Sequence, residues 1–210
     1  MPGHVFLRGD RVVLRTVDGD DRDVDVLGRV RNEPAFRRTL GFDAPWPRSR
    51  VESFVEATAD DETSFNLLVC LADGEASSES ALGGADDPSR GTADGSGDAP
   101  VVPIGAVNLF DVDRVSGTLS YWLDEDHRGE GYATEAVSLL VDHAVDQLGL
   151  HRVAAEAFAE NESSQRLLDR LGFVHEGTAR ECRIADGKYR DVERYAVLAD
   201  EWRDASEGYE

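Results

Sequence analysis

The segment Asp126-His127-Arg128-Gly129-Glu130-Gly131-Tyr132-Ala133-Thr134-Glu135-Ala136 stands between a strand-like run and a helix-like one. Glycine at such a junction lets the backbone approach a ligand closely, and the N–H groups of a helix's first turn face outward at the positive end of the dipole. The chemistry this permits is anion binding, above all of a phosphate or pyrophosphate. Glycine before a helix also serves purely steric ends, and the segment alone does not separate the two. A Walker loop needs Gly-x-x-x-x-Gly-Lys-Ser/Thr, yet the sole lysine is the distant Lys188, and a dinucleotide fingerprint needs a third glycine where Thr134 stands, so both motifs fail. His127, His143, His151 and His175 are scattered without metal-ligand spacing, so no metal is expected. Cys70 lies in the apolar run Asn66-Leu67-Leu68-Val69-Cys70-Leu71, which predicts a buried inert thiol, and with Cys182 it cannot carry a stapled fold.

The elements that must position the junction follow from periodicity. Ala133, Ala136, Val137, Leu140, Ala144 and Leu148 recur at three- and four-residue spacing, predicting a helix over 132–148 with Gly149 at its C-terminal cap. Before it, strands over 101–111 and 116–123 flank a short turn and predict an antiparallel hairpin. In the second, Leu119, Tyr121 and Leu123 alternate with Thr118, Ser120 and Trp122. After the helix comes a strand over 153–158, in which Glu156 shares a face with Ala154 and Phe158, opposite Val153, Ala155 and Ala157. A helix over 163–171 is built on Leu167, Leu168 and Leu171 and closed by Gly172; a strand over 173–177, a hairpin of 182–185 and 188–198 about Asp186-Gly187, and a helical turn over 200–205 complete the chain. Towards the N-terminus a strand over 11–16 precedes helices over 20–32 and 49–59, the second with Ser49 as a candidate N-cap, and a strand over 64–72. Trp46 between Pro45 and Pro47 marks a rigid connection of those helices.

Residues 73–100 hold no aromatic and one large aliphatic, Leu82, too little to offset their ordering entropy. They read as a disordered acidic loop inserted into one sheet, because neither flank has enough elements for a domain. A single domain over 1–210 is therefore expected.

The 210 residues carry 22 Lys plus Arg against 43 Asp plus Glu, a net charge of −21, with 40% hydrophobic residues to build a core. No leader-like N-terminus occurs and no segment approaches the ~18 apolar residues of a membrane span, so a soluble cytoplasmic protein without a membrane partner is expected. So negative a surface repels nucleic-acid phosphates, and no local basic cluster compensates. One lysine against 21 arginines resembles the composition of salt-accumulating halophiles, whose acidic surfaces stay soluble when molar salt shortens the Debye length to roughly 3 Å.

Arg128, Gly131 and Ala133 match the form Gln/Arg-x-x-Gly-x-Gly/Ala, and Asn161-Glu162-Ser163-Ser164 followed by Leu171-Gly172-Phe173 matches Asn-x-x-Ser followed by Leu-Gly-Phe. In this order the motifs resemble the GNAT superfamily of N-acetyltransferases. With Tyr121-Trp122-Leu123 and Asp186-Gly187-Lys188-Tyr189-Arg190-Asp191, the chain is most similar to the ribosomal-protein serine and alanine N-acetyltransferase branch, from about residue 8 to 198.

The resemblance implies an α/β (α+β) fold with a mixed, mostly antiparallel sheet. Its fourth and fifth strands, here 116–123 and 153–158, splay apart to take pantetheine. It implies acetyl-CoA as co-substrate, held by Trp122, Leu123, Arg128, Gly129, Glu130, Gly131, Tyr132, Ala133, Thr134, Asn161 and Ser164, and direct transfer of the acetyl group to a primary amine. Glu156 stands where a base belongs, and Ser164 near the thioester sulfur. Some relatives place a tyrosine seven residues after the asparagine, where this chain has Leu168. Residue chemistry leaves simpler roles open: Asn161 as N-cap, Ser164 as a helix-start serine, Glu156 facing solvent, Arg166 and Arg170 pairing with local carboxylates rather than an adenosine phosphate.

A neutral α-amine costs about 1 kcal/mol at pH 7 and a neutral lysine amine about 4.6 kcal/mol, which favours protein N-termini or small amines as acceptors. The rival readings are an acyl-CoA-binding module of the same fold without turnover, and an unrelated nucleotide-binding domain with its phosphate loop after the first strand of a parallel sheet. Monomer and homodimer are equally compatible with the sequence.

Overall fold

The computed structural model describes residues 3–34, 36–37, 44–59, 61–72 and 102–207; the acidic stretch 73–100 lies outside them. Eight strands form one sheet: β1 (Val5–Arg8), β2 (Val12–Thr16), β3 (Phe65–Leu71), β4 (Pro103–Phe110), β5 (Ser116–Leu123), β6 (Arg152–Phe158), β7 (Val174–Ala185) and β8 (Lys188–Leu198). Their spatial order is β1-β2-β3-β4-β5-β6-β8-β7. All neighbours run antiparallel except β5 and β6.

Strand alternation builds a core on each face. Val12, Leu14, Leu67 and Val69 meet Val137 and Leu140 of α3 (Tyr132–Asp142), Leu168 of α4 (Glu162–Arg170) and Trp202 of α5 (Ala199–Glu207). The intervening residues Val13, Leu68 and Cys70 face the other way, onto Val24 and Leu27 of α1 (Asp21–Asn32) and Val51 and Val55 of α2 (Arg48–Ala59). Leu14, Leu68, Leu140 and Leu168 are fully enclosed, and each such burial contributes roughly 1.5–3 kcal/mol.

Parallel strands need a long crossover, and here a short 3₁₀ turn at Glu125–His127, the glycine loop and α3 supply it. Pairing of β5 with β6 runs only from Ser116↔Arg152 to Leu119↔Ala155. Beyond that point β6 remains paired to β8 as far as Phe158↔Val192, while β5 diverges. The expected splay is thus present between the expected strands, which are fifth and sixth in the sheet because β1 adds an unforeseen N-terminal edge strand.

Other expectations change in detail. The helix over 132–148 divides into α3 and a π turn at His143–Gln147, closed by Leu148 N–H donating to His143 O at 3.1 Å. Gly149 follows with φ +69°. Ser49 is not an N-cap: α2 begins at Arg48, and Pro47 O accepts from the N–H groups of Arg50 and Val51. Arg48 instead bridges to Asp21 and Asp25 of α1. The strands expected over 173–177 and 182–185 are one strand, β7, whose register is broken twice, with Glu181 at φ +50°. Asp186 and Gly187, at φ +51° and +69°, make the two-residue turn expected between β7 and β8. Among the described residues no helix is long and apolar enough to cross a membrane.

Candidate active site

Divergence of β5 from β6 opens a cleft of about 900 Å³. Tyr121, Trp122 and Leu123 line it from β5 and Glu156 from β6. Arg128, Gly129, Gly131, Ala133 and Thr134 line it at the head of α3, Asn161 and Ser164 at the head of α4, and Arg183 and Arg190 on the closing hairpin.

The glycine loop owes its path to two left-handed residues, Gly129 at φ +85° and Gly131 at φ +87°. Gly131 is the N-cap of α3, and the first helical bond runs from Glu135 N–H to Gly131 O at 3.1 Å. The preceding amides therefore belong to the helix's unsatisfied first turn. Arg128 Nε donates to Leu123 O at 3.1 Å and ties the loop to the end of β5.

A second tie comes from the far end of the chain. The backbone N–H groups of Arg11 and Val12 donate to Glu135 Oε1 at 2.8 and 3.2 Å, and Arg11 Nη1 donates to Glu130 O at 2.8 Å. The Arg11 guanidinium lies 5.0 Å from the centre of the Tyr132 ring. Glu130 and Tyr132, also expected on the cofactor, are tied to Arg11: the Glu130 carbonyl accepts from its guanidinium, the Tyr132 ring packs under it, and neither side chain lines the cleft.

At the head of α4, Asn161 Oδ1 accepts from Ser164 N–H at 3.2 Å and from Ser163 Oγ at 2.8 Å, so Asn161 caps the helix while lining the cleft. Ser164 Oγ lies 2.6 Å from Tyr121 Oη. Burial of the phenol, only partly offset by that hydrogen bond, pushes Tyr121 up to about 12. Leu168 is buried in the core.

Glu156 projects from the exposed face of β6, opposite buried Val153, Ala155 and Ala157, as its alternation predicts. Its Oε2 accepts from Arg183 Nη2 at 2.8 Å, and Arg194 Nε lies 3.4 Å from Oε1. Glu160 pairs with Arg190. Arg166 pairs with Glu162 at 2.9 Å, the local pairing that residue chemistry allowed. The cleft lining holds Arg128, Arg166, Arg170, Arg183 and Arg190 against Glu156, Glu160 and Asp186, the reverse of the balance of the whole chain. Such a lining suits a polyanion. Among the described residues no group of three or more His, Cys, Asp and Glu is arranged to hold a metal ion.

Sequence reasoning gave no site role to two residues that organise this site. Tyr121 stands 43 positions before Ser164, and Arg11 stands 124 before Glu135; no local pattern links either pair.

The family model of the acetyltransferase (GNAT) domain matches residues 11–174. The probable N-acetyltransferase YjcK of Bacillus subtilis is 40% identical over 98 residues, 45% of this chain and 54% of that protein. The ribosomal-protein-serine acetyltransferase of Escherichia coli is 29% identical over 99 residues, 46% of this chain and 55% of that protein. These matches span about half the length of the relatives. The structure of spermidine N-acetyltransferase from Vibrio cholerae in complex with CoA and spermine superposes with a TM-score of 0.71 at 20% identity, covering 91% of this chain and 98% of that one. The family match takes in the β5–β6 splay, the glycine loop and the head of α4, and the chain belongs to the GNAT acetyltransferase family.

Proposed function

We propose that this protein is an acetyl-CoA-dependent N-acetyltransferase acting on a primary amine, a protein N-terminal α-amine or a small monoamine, by direct transfer. The observation that carries the reading is the convergence on one cleft of an α-helix N-terminus behind a glycine loop, the Tyr121–Ser164 hydroxyl pair and the Glu156 carboxylate. The co-substrate supplies an acetyl thioester.

The chain's own groups have distinct tasks around it. The first-turn amides of α3 hold the pyrophosphate, with Arg128 framing the loop. Arg170, which makes no ion pair among the described residues, attracts the adenosine phosphate. Trp122, Leu123 and Asn161 flank the pantetheine arm. Glu156 takes the proton that the amine must lose. Ser164 directs a hydrogen bond to the place of the departing sulfur. Because Glu156 and Ser164 both line the cleft, turnover is favoured over mere acyl-CoA binding.

A polyamine acceptor, as in the Vibrio cholerae relative, is the second reading. Against it, two of the cleft's three carboxylates, Glu156 and Glu160, are already paired with arginine. The test is release of CoA thiol from acetyl-CoA with N-terminal peptides, small monoamines and spermidine, in molar potassium chloride. Preferred turnover of peptides or monoamines is expected. Spermidine as the best acceptor would overturn the acceptor class, and silence with every amine despite CoA binding would favour the binding module. Gly131→Val should abolish CoA binding in calorimetry with the circular dichroism spectrum intact, and unchanged affinity would remove the loop from the site.

A further inference from the structure

We infer that Tyr121 is a positioning residue that turns the hydroxyl proton of Ser164 into the cleft, fixing a hydrogen-bond donor where the sulfur leaves. The inference rests on the assignment of Ser164 given above. Tyr121 lies two residues beyond the last β5–β6 pair, Leu119↔Ala155, so its ring stands in the splay and reaches the first turn of α4.

Its Oη is 2.6 Å from Ser164 Oγ and 3.3 Å from Ser164 O. The phenol has a single proton and is a stronger donor than an aliphatic alcohol, so we assign that proton to the nearer acceptor, Ser164 Oγ, rather than to the carbonyl at 3.3 Å. A serine in a helix can spend its own proton on a backbone carbonyl one turn back. Among the described residues Ser164 Oγ makes no such bond, whereas neighbouring Ser163 spends its proton on Asn161 Oδ1. The Ser164 proton therefore points neither at Tyr121 nor along the helix, and the cleft remains. Hydrogen bonds in series polarise one another, so the phenol also strengthens the serine as a donor. No proton transfer is required: when the C–S bond breaks, sulfur keeps the electron pair and both hydroxyls keep their protons.

The experiment is a pH titration of the thiolate ultraviolet absorbance of CoA bound to the parent protein, Ser164→Ala, Tyr121→Phe and the double variant, with kcat and the KM for acetyl-CoA measured beside it. Each single variant should raise the apparent pKa of the bound thiol by about one unit, the scale of a lost charge-assisted hydrogen bond. The double variant should shift it no further than Ser164→Ala, since Tyr121 acts only through Ser164. Turnover of Tyr121→Phe should fall about tenfold at unchanged KM, less than for a donor in direct contact. A shift in Ser164→Ala but none in Tyr121→Phe, or two shifts that add in full, overturns the role of Tyr121 and leaves Ser164 standing. No shift in either overturns the assignment of Ser164 and the inference with it.

Discussion

Glu156 meets two guanidiniums before it meets any substrate. With Arg183 Nη2 at 2.8 Å from one oxygen and Arg194 Nε at 3.4 Å from the other, an incoming amine must share the carboxylate with Arg183 or displace it. Glu156→Gln keeps the shape and removes the carboxylate proposed as the base, so turnover should fall by about 10²–10⁴ with CoA affinity intact. Equal turnover of parent and variant on a good amine would exclude Glu156 from the reaction. The two cysteines give a check on the core that needs no substrate. Cys70 is fully enclosed, and burial pushes its thiol up to about 12, so almost no thiolate forms at pH 8. Cys182 is partly exposed on β7 and open to reagent. Iodoacetamide at pH 8 should add one group per native chain and two after denaturation, counted by mass spectrometry; two on the native protein would show that Cys70 is open to solvent.

Elements act here through ties made across long stretches of chain. Glu135 receives the backbone of β2's approach while Arg11 holds the glycine loop, so strand, loop and α3 are one unit. Arg11→Ala frees the loop and should weaken CoA binding about tenfold in calorimetry, with kcat at saturation nearly unchanged; undiminished affinity would show that the loop holds its shape alone. The other end of α3 makes a comparable tie, Trp202 Nε1 donating to Asp142 Oδ1 at 2.7 Å. Burial raises Asp142 from its ordinary 3.8, so the fold favours its protonated form. Stability from this group is present at low pH and is lost as pH rises from the ordinary value through the raised one. Asp142→Asn keeps the acceptor without the charge and should melt higher than the parent at pH 7, the gap closing towards pH 4, whereas Asp142→Ala should melt lower at both. A parent more stable than Asp142→Asn at pH 7 would mean the charge is favourable. Periodicity made β5, β6, α4 and the Asp186-Gly187 turn legible, because each repeats a local pattern over several residues. It could not reveal β1, a four-residue edge strand held by pairing to β2 and by packing of Phe6 against Phe65 and His143, nor the π turn, where the helix widens as Ala144 and Val145 enter the core. Likewise the face of Glu156 was readable from alternation, but its arginine partners come from separate strands 27 and 38 positions on, joined to it only by sheet register.

On the scale of the whole molecule two electrostatic fields oppose each other. The chain carries −21 charges, yet its cleft gathers five arginines against three carboxylates. Self-repulsion of the surface disfavours the compact state, and attraction in the cleft favours a ligand bearing several phosphates. Salt screens both, since the Debye length falls from about 10 Å at 0.1 M to about 3 Å at 1 M. Potassium chloride should therefore raise Tm steeply between about 0.1 and 2 M while weakening CoA binding over the same range, two slopes of opposite sign from one cause. Calorimetric melts and CoA titrations across that series measure both. A Tm independent of salt would argue against adaptation to a saline interior. An affinity independent of salt would mean that the cleft holds its ligand by backbone amides and packing, with Arg128, Arg166 and Arg170 contributing little. Neutralising Arg170, which makes no ion pair among the described residues, should flatten the affinity slope without touching the slope in Tm, because one exposed charge of 65 ionised side chains barely alters the field of the surface.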